Sequence, residues 1–303
     1  GRECSTVQKY CLYLRKFLKY LEENHLSSDL PFASVTVAIY IVKLKTDNYS
    51  KSSIDSSMAA IKWIHSFIPG INHYNNPMND EFLAKILSAS KRRAANLKRS
   101  KSPILGHHIC EMIDNSNLNN LLELRDCLVV ALAYCLLLRH DEFSHLVLNH
   151  FEECPQGLKI LIPKSKTDKY RNGNHVLLGK SQNPISPFML FKKYISMIEP
   201  KIGDNHFLFQ DQDQFSSENK ILSYTSFNEI VKRLVIKIGL DPSLYGTHSL
   251  RSGGATALAP SVTEHELLVS GRWSDSRSIR CYIEMSDHSR FAISQNLQNT
   301  ISF

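Results

Sequence analysis

Residues 246–282 read GTHSLRSGGATALAPSVTEHELLVSGRWSDSRSIRCY, and this stretch holds the polar side chains best suited to chemistry. His248 and Arg251 are three positions apart, so they share one face of the helix predicted there. Trp273 follows Arg251 by 22 residues, and Tyr282 follows Trp273 by nine. A cation, an imidazole, an indole N–H and a phenol on neighbouring short helices can together hold and attack a phosphate group.

The predicted helix begins at Thr247, just ahead of an alternation of small and apolar residues. It then presents almost no side-chain bulk at four positions: Gly253, Gly254, Ala255 and Ala257. Small residues allow a second backbone segment to approach closely. We therefore expect this helix to pack tightly against a neighbouring element.

Each feature of this stretch has an ordinary explanation when it is considered singly. A surface helix often carries His and Arg three residues apart by chance. A tyrosine at an apolar helical position, such as Tyr282, usually belongs to a hydrophobic core. The combination in this order and spacing is much rarer, and it becomes specific if further cations occur upstream.

This order and spacing resembles the C-terminal active-site block of the tyrosine recombinases, a family that includes the phage integrases. There the pattern reads H-x-x-R, then G-x-W or G-H, and then the nucleophilic Tyr nine residues later. Residues 136–146, LLLRHDEFSHL, resemble the family's first catalytic block. In that block an Arg is followed three residues later by an acid, which here gives Arg139 and Glu142. A helix-terminal Arg beside an acidic patch is the ordinary interpretation of this pair.

A β-hairpin is predicted by two alternating segments, 158–162 and 175–178. The connection between them contains KSKTDKYR, and the resemblance places the family's catalytic lysine at Lys166. Lys164 and Lys169 remain alternatives because they lie so close in sequence. An exposed, charged hairpin tip is the ordinary interpretation of any one of these lysines.

The resemblance implies that Tyr282 attacks a DNA phosphate, forms a 3′-phosphotyrosine and frees a 5′-hydroxyl. The 5′-hydroxyl then attacks the partner duplex, which rejoins the strand. Arg139 and Arg251 would each donate paired hydrogen bonds to phosphate oxygens, a geometry that lysine lacks. Because the phosphotyrosine conserves the bond energy, the resemblance implies no ATP or other nucleotide cofactor and no metal.

The resemblance also implies the roles of the other site residues. His248 would accept the phenolic proton or hydrogen-bond the phosphate. Lys166 would protonate the departing 5′-oxygen, and Trp273 would donate its single N–H to a phosphate oxygen. Glu142 would orient Arg139 or His248 without contacting the phosphate itself. None of the family's catalytic residues is missing, so we expect an active enzyme.

Composition excludes several other classes of protein. The seven cysteines are an odd number with no C-x-x-C pair, which favours a reducing intracellular compartment over a disulfide framework or a zinc site. The longest apolar run, residues 127–138, is too short to span a bilayer, and no signal peptide is visible. We see no Walker motif and no carboxylate cluster typical of a metal site.

Positive charge is concentrated at the beginning of the chain. Residues 1–102 carry 16 Lys and Arg against 8 Asp and Glu, whereas residues 103–303 carry 20 against 21. Residues 91–101, KRRAANLKRSK, contain six of these cations. We interpret this run as a linker that follows a phosphate backbone, although most charge runs are simply solvated faces. The predicted DNA-binding residues are Arg92, Arg93, Lys98, Arg99 and Lys101.

The periodicity of apolar residues predicts a protein that is mainly α with a small antiparallel β-sheet (α+β). Helices are predicted at 6–24 and 34–44, from Ser52–Ser53 to Pro69, and from Pro77, and then at 105–116, 118–138, 187–198 and 224–238, with a strand starting at 146–151. In the fourth helix, Phe82, Leu83, Ile86, Leu87 and Ala94 are predicted to share one side. The family has the same order of parts. We therefore expect a helical DNA core-binding domain over residues 1–102, ending in the basic linker, and a catalytic domain over residues 103–303.

Assembly and host also follow from the resemblance. The expected partners are double-stranded DNA and further copies of the chain, with a dimer on one site and a tetramer on paired sites. Residues 289–303, with Phe291, Ile293, Leu297 and Ile301, would dock on the neighbouring protomer. HSLRSGGAT followed by GRW resembles the recombinases of eukaryotic mobile elements, the Crypton and DIRS-like groups, which implies integration of such an element in the nucleus.

Other interpretations remain open at this point. The chain could be a DNA-binding protein domesticated from a recombinase that no longer cuts. It could instead be a type IB topoisomerase, which shares the chemistry but relaxes supercoils as a monomer. A metal-dependent transposase is the least favoured class.

Overall fold

The computed structural model describes residues 4–71, 76–94, 101–163, 173–198, 206–210, 219–280 and 282–283, together with residue 298. The chain forms two compact units, residues 1–99 and 100–303. Lys101 and Ser102 make their contacts within the second unit. The Lys101 ammonium donates to the Ser243 carbonyl, and the Ser102 N–H donates to the Leu244 carbonyl at 2.8 Å.

The described part of the first unit is helical. It consists of α1 (Cys4–Glu23), α2 (Ser34–Thr46), α3 (Lys51–His65), a 3₁₀ turn (Pro77–Asn79) and α4 (Glu81–Ala94). Helix α1 packs against α3, and α2 packs against α4. Their facing apolar stripes form one core, whose fully buried members include Phe17, Leu21, Ile41, Ile54 and Ile61.

The bounds of α3 differ from the prediction at both ends. Ser50 caps the helix by accepting the Ser53 N–H, so the cap lies earlier than Ser52 and Ser53. The helix ends at His65, because the following residues form tighter turns before Pro69. The first of these bonds joins the Ser66 N–H to the Trp63 carbonyl at 3.1 Å.

The start of α4 was also predicted wrongly. Pro77 opens the 3₁₀ turn, and α4 begins separately at Glu81, where Asp80 accepts the Phe82 N–H at 2.7 Å. The apolar pattern predicts that Phe82 shares the buried side of the helix with Leu83. This prediction is wrong, because Phe82 is 54% exposed.

The second unit combines helices with one small sheet. Its described elements are α5 (Gly106–Asp114), α6 (Leu121–Cys135), α7 (His140–Phe143), β1 (Phe151–Cys154), β2 (Gly157–Ile162), β3 (Asn174–Gly179), α8 (Pro187–Ile198), α9 (Tyr224–Lys237), α10 (Thr247–Leu258), α11 (Glu264–Gly271) and α12 (Ser276–Arg280). The sheet is antiparallel in the order β1-β2-β3, with Phe151 opposite Ile160 and Ile162 opposite Asn174. The expected class, mainly α with a small antiparallel sheet, is confirmed.

Helix α6 is the centre of the second unit. Residues 124–133 are all buried, as the mostly apolar sequence predicted, and the helix packs against α8 and α10. The two charged residues among them, Arg125 and Asp126, form a buried ion pair. The strand expected from residue 146 begins later, at Phe151, because the chain forms a 3₁₀ turn at Leu148–His150 first.

Helix α10 begins at Thr247, as predicted, and makes the expected close approach. A Cβ atom on Gly253 would overlap the Ile104 carbonyl, and one on Gly254 would overlap the Tyr134 carbonyl at the end of α6. Ala255 is buried, whereas Ala257 faces solvent. The two glycines therefore let α10 lie directly on neighbouring backbone, which sets the position of Arg251 on the same helix.

Candidate active site

The candidate site lies over a small apolar cluster of the second unit. Its buried members are Leu137, Ala255, Leu267, Trp273 and Ile279. Leu137 follows α6 and has a left-handed backbone, with φ 51°. This conformation turns the chain out of α6, and Arg139 then lies at the N-cap position of the single-turn helix α7.

Arg139 is held by the acid three residues after it. Its Nη1 donates to Glu142 Oε1 at 2.8 Å, and its backbone N–H donates to Glu142 Oε2 at 3.0 Å. The Glu142 side chain is fully buried, while 18% of the Arg139 side chain is exposed. Of the two partners expected for Glu142, the structure gives the contact with Arg139. Part of the Arg139 side chain is therefore left accessible.

Arg251 is almost fully buried, with 1% of its surface exposed. Its two terminal nitrogens donate to the carbonyls of Leu137 and Gly271. Its Nε is buried and has no hydrogen-bond partner among the described residues. The guanidinium carbon lies 4.2 Å from the centre of the Trp273 ring, in cation–π contact.

Tyr282 lies beside these groups, on the turn that follows α12 rather than on a helix. Its ring centre is 5.4 Å from that of Trp273, 6.2 Å from that of His248 and 5.4 Å from the guanidinium carbon of Arg251. His248 is exposed and Arg251 is buried, yet both reach the same phenol ring because they share one face of α10.

The backbone of Tyr282 is tied to α10. The Tyr282 carbonyl accepts hydrogen bonds from Ser252 Oγ at 2.7 Å and from Thr256 Oγ1 at 3.2 Å. Ser252 and Thr256 are one helical turn apart, so they face the same side of α10. These two hydroxyls hold the phenol of Tyr282 next to the arginine of its own chain.

Trp273 lies in the turn between α11 and α12. Its ring is 8% exposed, and its Nε1 is buried with no hydrogen-bond partner in the described part of the chain. A cleft of about 400 Å³ beside it is also lined by Asn174, where β3 begins. The start of β3 therefore lies close to Trp273, and the connection that contains Lys166 leads into this strand.

The charges of the site act on one another. Burial raises the pKa of Glu142, but the charges and hydrogen bonds of Arg272 and Arg139 lower it more, so the net pKa is below the ordinary value. Burial, and then the positive charge of Arg139, lower the pKa of Arg251. An anion bound between Arg139 and Arg251 would relieve this repulsion, so the site is suited to a phosphate or another oxyanion.

Some predicted residues are not placed by the structure. Lys166 and its alternatives Lys164 and Lys169, the linker residues Lys98 and Arg99, the Arg93 side chain and nearly all of residues 289–303 lie outside the described residues. Arg92 is exposed and contacts Ser88 Oγ at 3.5 Å. Lys101 binds a carbonyl of the second unit, as described above.

Three residues of the site were missed by sequence reasoning: Ser252, Thr256 and Arg272. The first two could have been found from the sequence, because two hydroxyl residues one helical turn apart flank the glycine pair of α10. Arg272 stands directly before Trp273, where the recombinase pattern allows any residue. Its contacts arise from the tertiary structure.

Two other kinds of feature are absent from the residues that the structure describes. No group of three or more His, Cys, Asp or Glu side chains there could hold a metal ion. No helix in the same ranges is long and apolar enough to cross a membrane.

Sequence comparison relates both units to known proteins. Residues 2–69 match the family model of the phage integrase N-terminal SAM-like domain. The chain is 27% identical over 268 residues to an integrase/recombinase xerD homolog of Selenomonas ruminantium, a match that covers 88% of this chain and 77% of that protein.

Solved structures share the fold along nearly the whole chain. The Tn1549 transposon integrase in complex with transposon right end DNA has a TM-score of 0.67 and 14% identity, covering 98% of this chain and 95% of that one. The XerH site-specific recombinase bound to a palindromic difH substrate also has a TM-score of 0.67, with 16% identity, covering 96% and 78%. A lambda integrase dimer bound to a COC′ core site has a TM-score of 0.62, with 13% identity, covering 94% and 90%. These structural similarities show the fold.

Proposed function

We propose that this chain, a member of the tyrosine recombinase and integrase family, cleaves and rejoins DNA strands at specific sites through a 3′-phosphotyrosine on Tyr282. The observation that carries the proposal is the convergence, within one chain, of Arg251, Trp273 and His248 around that phenol, with Arg139 close enough to lower the pKa of Arg251.

The two arginines and the indole would hold the scissile phosphate. Phosphoryl transfer is catalysed mainly by positioning and by fixed positive charge, because negative charge is spread over the phosphoryl oxygens. Arg139 is partly exposed and pre-oriented by Glu142. Arg251 Nε and Trp273 Nε1 are buried donors without partners among the described residues. Such donors carry a desolvation cost of about 1–3 kcal/mol each unless a ligand accepts their hydrogen bonds, and a phosphate oxygen can do so.

Cleavage would exchange one phosphodiester for another. The Tyr282 oxygen bonds to phosphorus as the bond from phosphorus to the 5′-oxygen breaks. The phenolic proton passes to His248, whose ring lies beside the phenol, and the departing 5′-oxygen takes a proton from Lys166 or, in the alternative register, from Lys164. Rejoining reverses these steps with the 5′-hydroxyl of the partner strand. Each step balances without nucleotide hydrolysis.

The attack would take place in cis. Ser252 and Thr256 bind the Tyr282 carbonyl, and both belong to the helix that carries His248 and Arg251. The nucleophile and these catalytic groups therefore come from one protomer, and a partner copy need not supply the tyrosine.

The proposal extends to the assembly and the host. Exchange between two duplexes requires four strand cleavages, so a dimer on each site and a tetramer on paired sites are the expected assemblies. HSLRSGGAT and GRW support a relationship to the Crypton and DIRS-like groups, and hence integration of a mobile element in the nucleus. The Selenomonas relative is bacterial, so this narrower relationship rests on those residues. Transfection of a tagged chain and imaging of its compartment test the nuclear part.

Replacing the nucleophile tests the proposed function. Tyr282→Phe removes one oxygen and no proposed phosphate contact, so DNA affinity should change less than about twofold while covalent protein–DNA complex is lost. Covalent complex is measured by denaturing gel after incubation with candidate element-end duplexes. Tyr49→Phe, at an exposed tyrosine of the first unit, is the control and should cleave normally.

The outcome also separates the alternatives. A native chain that binds DNA but forms no covalent complex would be the domesticated DNA-binding protein. Relaxation of supercoiled DNA without recombination sites would indicate a type IB topoisomerase. Loss of cleavage in EDTA would indicate a metal-dependent transposase. Covalent complex that persists in Tyr282→Phe would refute the assignment of the nucleophile.

A further inference from the structure

Arg272 adopts a left-handed backbone conformation that is unusual for an arginine at the end of a helix. It follows α11 with φ 54° and ψ 45°, the left-handed region, and its N–H donates to the Val269 carbonyl at 3.1 Å. Glycine is the usual residue at such a helix end, since a side chain there costs roughly 1–2 kcal/mol. Contacts made by the side chain must offset this cost.

The side chain of Arg272 is 7% exposed and is bound on several sides. Its Nη1 donates to the Ser270 carbonyl at 3.0 Å. Its Nη2 lies 2.8 Å from Glu142 Oε2, 2.9 Å from the Leu137 carbonyl and 3.2 Å from the Leu136 carbonyl. Arg272 thus lies behind the two arginines proposed to face the phosphate, against the groups that hold them.

Both of those arginines depend on groups that Arg272 contacts. Glu142 binds Arg139 through Oε1 and Arg272 through Oε2, so the carboxylate is clamped between two guanidinium groups. The Leu137 carbonyl accepts from Arg251 and from Arg272 together. Arg139 Nη2 also lies 3.4 Å from the Arg272 carbonyl. A single side chain therefore links the supports of both phosphate-facing arginines.

We infer that Arg272 is a positioning residue, which holds Glu142 and the Leu137 carbonyl so that Arg139 and Arg251 point at the same phosphate. The inference rests on the proposed function, because the phosphate is the ligand that needs both arginines together. Arg272 acts through its neighbours, and both of its terminal nitrogens, Nη1 and Nη2, donate to protein acceptors.

Loss of Arg272 would change the charge state of Glu142. The charged side chains that face Glu142 in the described structure are Arg139, Arg251 and Arg272. Burial raises the pKa of this carboxyl, and the contribution of Arg272 is the largest that opposes burial. Without Arg272 the Glu142 pKa rises, so acidification protonates the carboxyl and releases Arg139. The cleavage rate should then fall more steeply than the native rate as pH falls.

Arg272→Gly is the sharpest variant, because glycine suits the left-handed backbone and removes the side chain. We expect a lower melting temperature, because relief of the backbone strain offsets only part of the lost buried contacts. DNA affinity should stay close to native, cleavage should be about 10- to 100-fold slower, and the rate should fall more steeply at acid pH. Arg272→Lys, which keeps a charge with a single donor group, should fall between the two. Arg277→Ala, at an exposed arginine on α12, controls for loss of one positive charge.

A measurement without DNA separates this inference from the proposed function. At about pH 5, above the ordinary Glu pKa of about 4.3, Arg272→Gly should show the infrared carbonyl stretch of a protonated carboxyl. The band should vanish in Arg272→Gly/Glu142→Gln. If native protein never cleaves DNA but the band behaves as expected, the proposed function fails while the contact with Glu142 stands.

Three results would overturn the inference. The first is native cleavage with a native pH profile in both Arg272 variants. The second is slower cleavage that is fully explained by weaker DNA binding and a flatter salt dependence, which would make Arg272 a phosphate contact. The third is absence of the infrared band. If Arg272→Gly does not fold, the rate and pH profile of Arg272→Lys decide.

Discussion

At the residue scale, the site is defined by donors that the protein leaves unsatisfied. Arg251 Nε and Trp273 Nε1 are buried without partners among the described residues, while the other nitrogens of Arg251 are anchored to two carbonyls. Anchoring fixes the planar guanidinium, and the unsatisfied Nε–H is available to a ligand. This division of roles needs the five donors of arginine in their fixed geometry.

Arg251→Lys tests that requirement. A lysine keeps the charge but cannot bind both carbonyls and a phosphate, so we expect cleavage to fall about 100- to 1,000-fold, the usual loss for one stabilising donor. DNA affinity should change far less, since Arg139 and the basic linker still contribute. Single-turnover cleavage and a binding titration on the same duplex measure both quantities. Near-native cleavage would mean that Arg251 is structural.

At the scale of a single element, α10 combines the proposed catalytic groups with close packing. It carries His248 and Arg251 near its start, the glycine pair in its middle, and Ser252 and Thr256 on the side that binds the Tyr282 carbonyl. Gly253 and Gly254 lie against backbone carbonyls, so a side chain at either position would push the helix away from them. Such a shift would move every one of those groups.

The sign of the change in stability caused by Gly253→Ala tests this packing. Alanine in a helix is ordinarily favoured over glycine by about 1 kcal/mol, so propensity predicts stabilisation. Here a Cβ would overlap the Ile104 carbonyl, so we expect destabilisation of about 1–3 kcal/mol and slower cleavage. Urea denaturation of both forms measures the change. Ala257→Gly, at the exposed position of the same helix, should cost about 1 kcal/mol and spare cleavage; a stabilised Gly253→Ala would contradict the packing argument.

At the scale of the whole molecule, the two units differ in net charge. Positive charge is in excess in residues 1–102 and balanced in residues 103–303. Non-specific affinity for DNA arises from counterion release by such cations and weakens with salt. The first unit and the run at its end are therefore expected to supply most of the affinity, and the second unit the chemistry.

Neutralising the basic run tests that division. Replacement of Arg92, Arg93, Lys98 and Arg99 by Gln should weaken binding to all sequences, and each lost phosphate contact should lower the log–log salt slope by about 0.9. Fluorescence anisotropy at several salt concentrations measures the slope. Substitution of the exposed Lys180 and Lys192 of the second unit serves as the control. An unchanged slope would identify the run as a solvated face.

Deleting residues 289–303 tests the proposed assembly. If this segment docks on a neighbouring protomer, its loss should spare binding to one site but prevent the tetramer on paired sites, because head-to-tail contacts close the ring. Gel mobility shows the bound species, and a two-site recombination assay shows the rate. A segment that folds back on its own protomer or frays would leave recombination at the native rate.

The sequence by itself determined the class of fold, the buried character of α6, the start of α10 and the residues expected to do the chemistry. These followed from apolar periodicity, small residues and motif spacing, which are local properties of the chain. The tertiary structure decided what surrounds them. It placed Glu142 between Arg139 and Arg272, gave Arg251 two carbonyls from distant segments, and tied the Tyr282 backbone to α10. The physical reason is that these contacts join residues up to 130 positions apart, as between Glu142 and Arg272, so no local pattern records them.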